Sequence, residues 1–67
     1  MSQDVKYFIE CVTNILKEES KEKIVDIQEI VQQSTFYELI QEEPLFVTHY
    51  PPEYWAEDIY KEQIERK

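Results

Sequence analysis

Apolar residues recur along the first part of the chain with the spacing of an amphipathic helix. The pattern covers about Asp4 to Glu18, with the main line at i, i+3, i+7 and i+10 and further apolar residues beside it. The line is formed by Val5, Phe8, Val12 and Ile15, and it is widened by Ile9, Cys11 and Leu16. One face of a helix carries apolar residues at this period. We therefore expect a first helix here, capped by Ser2 or Asp4 and well buried.

Two shorter apolar patterns follow after the charged stretch from Lys17 to Lys23. The helix of the first pattern is expected to start near Lys21, with Ser20 as a candidate N-cap, and the second pattern covers about Phe36 to Glu42. Their apolar residues are Ile24, Val25, Ile27, Ile30 and Val31 in the first, and Phe36, Leu39 and Ile40 in the second. Thr35 and Glu38 have the spacing of a capping box. The residues between the two patterns leave open whether they form two helices or one bent helix.

The last part of the chain is divided by its prolines. Pro44 is expected to end the preceding helix, because the residue before a proline is disfavoured in the α region. The sequence LFVTHY then indicates a short extended segment, and Pro51 or Pro52 fits the first turn of a final helix. The predicted buried line of that helix is Ala56, Ile59, Tyr60 and Ile64, with Trp55 at its shoulder.

These patterns favour an all-α fold, and the composition supports it. The chain has 67 residues and no glycine, and glycine is the usual residue where a tight hairpin needs a positive φ. We expect one small domain over residues 1–67, with three to four helices and a proline-delimited extended linker before the last helix. A chain of this length buries a limited share of its surface.

The distribution of charge changes the picture more than its total. The net charge is −8, and no Lys or Arg occurs between Ile24 and Tyr60. We call this stretch the acidic window; it contains Asp26, Glu29, Glu38, Glu42, Glu43, Glu53, Glu57 and Asp58. Direct binding to nucleic acid or to an anionic membrane needs clustered basic residues, so neither is expected.

Residues for common enzyme chemistry are sparse. Without glycine there is no phosphate-cradling loop, and one cysteine and one histidine, Cys11 and His49, do not form a zinc site. A Cys–His nucleophilic pair is formally available, but Cys11 lies on a broad apolar face, where cysteine behaves as a small hydrophobe. We expect no enzymatic activity, no cofactor and no metal.

Five of the nine aromatic residues lie between Pro44 and Tyr60. Tyrosine and tryptophan are enriched where proteins bind each other, but the same residues also close small cores. For Phe46, Trp55 and Tyr60 the core is the favoured interpretation. Tyr50 and Tyr54 flank the proline turn and have no place on the predicted buried line, so they are the better candidates for a surface contact.

The expected function is therefore a small acidic protein-binding module, a regulator or inhibitor that docks on a basic surface of a partner protein. In a sharper form of this hypothesis, carboxylates spaced ~6 Å apart on helices imitate nucleic-acid phosphates, and the partner is a nucleic-acid-binding protein. The candidate partner-binding residues are Asp26, Glu29, Glu38, Glu42, Tyr50, Glu53, Tyr54, Trp55 and Glu57.

The alternative is a structural protein that forms a homo-oligomer, most simply a dimer, through its aromatic and apolar surface. Hydrophobic residues make up 42% of the chain, which is generous for this length. No signal-peptide pattern or membrane-spanning run is recognisable, so we expect a cytoplasmic protein. Small acidic helical proteins are frequent among bacterial and phage regulators, and by that analogy alone we expect such a regulator.

Overall fold

The computed structural model describes residues 3–20 and 22–65, and within them the secondary structure is helical with no strand. The all-α prediction is confirmed. Five α-helices follow one another, and a π-helical segment continues the last: α1 Gln3–Ser20, α2 Ile24–Gln32, α3 Thr35–Glu42, α4 Pro44–Thr48, α5 Pro52–Ile59 and the π segment Tyr60–Ile64. None of the helices in this part of the chain combines the length and apolarity needed to cross a bilayer.

The long helix α1 forms the centre of the packing, with α2 and α5 both packed against it. Its predicted face is largely confirmed, since Val5, Val12 and Leu16 are buried and further apolar side chains of that face are partly buried. Thr13 is also buried, and its Oγ1 donates to the Ile9 carbonyl at 2.8 Å. This local bond allows a polar side chain to lie on the apolar face.

Helix α2 begins later than the predicted start near Lys21, and it ends before α3 begins. It begins at Ile24, after Lys23 in an extended conformation, and it ends at Gln32. The following turn contains Ser34, which is buried and whose Oγ donates to the Val31 carbonyl at 2.5 Å. A side chain that bonds a helix-terminal carbonyl competes with helix continuation. Helices α2 and α3 are therefore separate.

The predicted capping box at the start of α3 is wrong. Thr35 is the first helical residue rather than the N-cap, and its backbone N–H and Oγ1 both donate to the Glu62 carboxylate, at 3.2 and 2.6 Å. A carboxylate at a helix N-terminus accepts from a free amide and favours the positive end of the helix dipole. The π segment thus supplies the acceptor that Glu38 was expected to supply.

The predicted extended linker is also wrong, because Pro44–Thr48 forms the one-turn helix α4. Glu43 has φ −133° and ψ 64°, a non-helical conformation that a residue before proline readily takes. Pro44 then starts α4, where its missing N–H costs nothing. Val47 becomes fully buried, and Thr48 Oγ1 donates to the Pro44 carbonyl at 2.8 Å. Burial of Val47 outweighs the β-forming tendency of this stretch.

The core lies where the helices meet around Phe36 and Trp55. The ring of Phe36 lies 6.2 Å from Phe8 of α1 and 5.7 Å from Trp55 of α5, measured between ring centroids. The predicted buried residues Ala56 and Ile59 are fully buried. The chain of three aromatic rings connects α1, α3 and α5, so a change in any one ring affects all three helices.

Helix α5 does not continue unchanged to the end of the chain. After Ile59 it widens into the π segment, closed by a backbone bond from the Glu65 N–H to the Tyr60 carbonyl at 2.8 Å. The wider turn changes the direction of the side chains that follow it. In this segment Gln63 Nε2 donates to the Gln33 carbonyl at 3.4 Å, beside the Glu62 contact with α3.

Candidate protein-binding surface

Trp55 is a core residue and not a surface anchor. Its side chain is 4% exposed, and its indole N–H donates to the Val47 carbonyl at 2.7 Å. Its predicted role as a direct partner contact is therefore corrected, because a side chain already buried has almost no area left to bury. Its bond to Val47 ties α5 to α4, and the aromatic residues around it are held in place by that connection.

Tyr50 and Tyr54 stack on each other beside this buried indole. Their ring centroids are 4.8 Å apart with planes inclined at 26°, and both rings meet Trp55 edge-on, at 6.0 and 5.0 Å. Tyr54 is 49% exposed, whereas Tyr50 is half-buried and packs partly against the core. The structure thus brings together the two tyrosines predicted for the surface, with Tyr54 the more accessible.

Phe46 completes this surface and was not predicted to do so. It is 51% exposed, and its ring meets Tyr50 edge-on at 5.7 Å and Trp55 at 6.3 Å. Its neighbour in α4, Leu45, is 86% exposed. Pro44 is the sequence signal for this arrangement. A helix that starts at Pro44 and buries Val47 leaves Leu45 and Phe46 exposed to solvent. We call Phe46, Tyr50 and Tyr54 the aromatic patch.

The candidate carboxylates are exposed but spread over three helices. Asp26 and Glu29 lie on α2, Glu38 and Glu42 on α3, and Glu53 and Glu57 on α5. Helix α1 packs against both α2 and α5. The six carboxylates therefore do not share one helix face. Glu53 and Glu57 are on the same helix as Tyr54 of the aromatic patch.

One carboxylate of the acidic window is already paired. Glu57 Oε1 lies 3.2 Å from the Nζ of Lys61, four positions later on the chain, and both side chains are well exposed. An exposed pair of this kind contributes little to stability. Elsewhere on α5, Glu53 and Asp58 are exposed and make no ion pair with any residue in 3–20 or 22–65. Asp58 was not among the predicted site residues, although it lies four positions after Tyr54.

The remaining reactive side chains have other neighbours. The exposed His49 lies edge-on to Tyr50, 5.4 Å between ring centroids, so it borders the aromatic patch. The side chain of Cys11 on α1 forms a hydrogen bond with Tyr7 that, with the charge of the thiolate, raises the pKa of Tyr7 above 10.0. Among residues 3–20 and 22–65, no three His, Cys, Asp or Glu side chains are grouped to hold a metal ion.

A groove of about 650 Å³ lies mainly between α1 and α2, and no residue of the aromatic patch lines it. Its walls mix apolar side chains with polar ones, among them Lys6, Glu10, Asn14, Gln28 and Gln32. Neither wall carries a candidate site residue, and the groove was not predicted from the sequence.

No family model matches the chain, and no curated protein or solved structure is significantly similar to it. The aromatic patch and the carboxylates on α5 are the features of the chain that indicate a function.

Proposed function

We propose that this chain is a non-enzymatic protein-binding module that docks through the aromatic patch on a basic surface of a partner protein. The observation that carries the proposal is the stacked pair Tyr50–Tyr54, half exposed and held against the buried Trp55. Rings fixed in this way lose little conformational freedom on binding, and aromatic residues of this kind dominate interface energetics.

The acidic charge of this surface indicates that the partner is basic. Glu53 and Asp58 share α5 with Tyr54, and the acidic window contains no lysine or arginine to neutralise them. An acidic surface speeds the encounter with a basic one and selects against acidic partners. A bound module of this kind covers the basic surface, so regulation or inhibition is the expected consequence.

The sharper form of the proposal has carboxylates take the place of nucleic-acid phosphates. The i, i+4 pairs Glu38–Glu42 and Glu53–Glu57 lie on α3 and α5, and Cβ atoms of such pairs on a helix are typically ~6 Å apart, the spacing that this imitation uses. Asp26 and Glu29 on α2 would add a further acidic face to this imitation.

The test is capture of binding proteins from an extract of the native host, with each bound protein identified. Tyr54→Ala should abolish capture of the true partner, and high salt should weaken it. Tyr7→Ala is the matched control, because Tyr7 is a 69% exposed tyrosine on α1 that lies outside the aromatic patch. Capture that survives both Tyr54→Ala and high salt would contradict the proposal.

A homo-oligomer is the second candidate, and the exposure of Leu45 and Phe46 favours it. Adjacent large apolar side chains left exposed on one short helix are typical of a contact surface. Sedimentation at micromolar concentration should then show a dimer that Phe46→Ala converts to a monomer. A monomer at the highest soluble concentration would exclude this candidate.

A further inference from the structure

Tyr54 and Asp58 together form a small site on α5 with an aromatic face and a carboxylate. They are four positions apart in the helix Pro52–Ile59, so they are neighbours on one side of it. Both are exposed, and within the described part of the chain Asp58 makes no ion pair. The nearby Glu57 differs, because its carboxylate already has Lys61 as a partner.

We propose that this site binds arginine side chains of a protein partner in preference to lysine. The inference rests on the proposed function and names the residue type that the surface recognises. A guanidinium is planar, so it can lie over the ring of Tyr54 while its N–H groups donate to the carboxylate of Asp58. One side chain then satisfies both features of the site.

Lysine fits the same two groups less well. Its ammonium is a compact, strongly hydrated charge that stacks poorly, and it cannot form two parallel bonds to a carboxylate. Charge attraction alone would treat the two residues alike. The exposed aromatic ring beside an unpaired carboxylate is therefore what makes the site selective.

The neighbouring groups extend the site toward a segment with more than one arginine. Tyr50 stacks on Tyr54, and Phe46 meets Tyr50 edge-on, so the aromatic surface continues from α5 to α4. Glu53, in the first turn of α5, adds a second unpaired carboxylate. The acidic window contains no lysine or arginine that would compete for these groups.

The experiment compares an oligoarginine peptide with an oligolysine peptide of the same length, titrated into the isotopically labelled full chain and followed by nuclear magnetic resonance. We expect the arginine peptide to bind about fivefold tighter for each stacked contact, which corresponds to about 1 kcal/mol. The largest shifts should be at Tyr54 and Asp58. Tyr54→Leu keeps an apolar side chain but removes the ring, so it should bring the two affinities together.

The matched control is Tyr7→Leu, which removes an exposed ring from α1 and should leave the arginine preference intact. Equal binding of the two peptides by the unaltered chain would overturn the arginine inference while leaving an acidic docking surface in place. Binding of neither peptide would contradict both. Shifts at the same residues on concentrating the chain without peptide would assign the surface to a second copy instead.

Discussion

At the scale of single residues, Trp55 organises the aromatic part of the molecule. Phe36 packs on one side of its indole, and Tyr50 and Tyr54 contact it from the surface. Its N–H bond to the Val47 carbonyl joins α5 to the short α4. The sequence predicted Trp55 at the edge of the core and left its exposure open, because helical periodicity does not reveal a partner eight residues earlier.

Trp55→Phe should lower the free energy of unfolding by about 1–3 kcal/mol, because it removes the buried hydrogen bond and leaves unfilled volume. Circular dichroism during denaturant unfolding measures the change without relying on tryptophan fluorescence. Tyr7→Phe is the control and should change the same free energy by less than about 0.5 kcal/mol. Equal effects of the two substitutions would contradict the central position of Trp55.

Tyr7 also gives a prediction of pH dependence. Its raised pKa comes first from the hydrogen bond with Cys11 and then from the charge of that thiolate. A folded-state pKa above the unfolded value stabilises the fold fully below the unfolded pKa, and this contribution is lost as pH rises through the folded pKa.

Cys11→Ala should therefore lower the pKa of Tyr7 toward its ordinary value and flatten the loss of stability above about pH 10. A nuclear magnetic resonance titration of the tyrosine ring carbons, with Tyr7→Phe to assign the signal, measures the shift. The assignment of the cause to Cys11 fails if the Tyr7 titration is the same with and without the thiol.

At the scale of helices, the hydrophobic pattern predicted the buried helix faces well and the helix boundaries poorly. The buried faces of α1, α2 and α3 follow a helical period that local spacing already contains, apart from the exposed Val25 beside the α2 line. Helix α4 was missed because its residues are good strand formers, and only the tertiary burial of Val47 makes a helix there favourable. The exposure of Phe46 was missed for the same reason.

The cap of α3 was missed because its two partners are 27 residues apart. Thr35 and Glu62 should show a coupling energy of roughly 1 kcal/mol in a double-mutant cycle of Thr35→Val and Glu62→Ala, since helix caps contribute that amount. Amide hydrogen exchange at Thr35 should rise in Glu62→Ala. Glu62→Gln, which keeps an acceptor, should restore part of the stability. Additive effects of the two single substitutions would rule out this cap.

At the scale of the whole molecule, the aromatic patch lies within the acidic window, and Tyr54 of the patch shares α5 with Glu53 and Asp58. The absence of lysine and arginine from Ile24 to Tyr60 is visible in the sequence. The sequence does not say which carboxylates lie together, because that depends on how α2, α3 and α5 pack around α1. We expect the carboxylates near the patch to matter more for binding than those on α2.

Asp26→Lys with Glu29→Lys should therefore slow association with a basic partner less than Glu53→Lys with Asp58→Lys does. Both double substitutions change the net charge equally, so any difference reports position. Stopped-flow mixing at low salt measures the rates, and circular dichroism checks that each variant is folded. A slower rate for the α2 pair would move the binding surface to α2.

In the proposed function, a local surface and not the net charge directs binding of the partner. The most direct test measures the association rate constant of the captured partner with Glu53→Lys and Asp58→Lys together, against Asp4→Lys and Glu18→Lys together. The control pair lies on α1, is exposed and changes the net charge by the same amount. We predict at least a roughly tenfold slower rate for the first pair and a much smaller change for the control. Equal slowing by both pairs would contradict the claim.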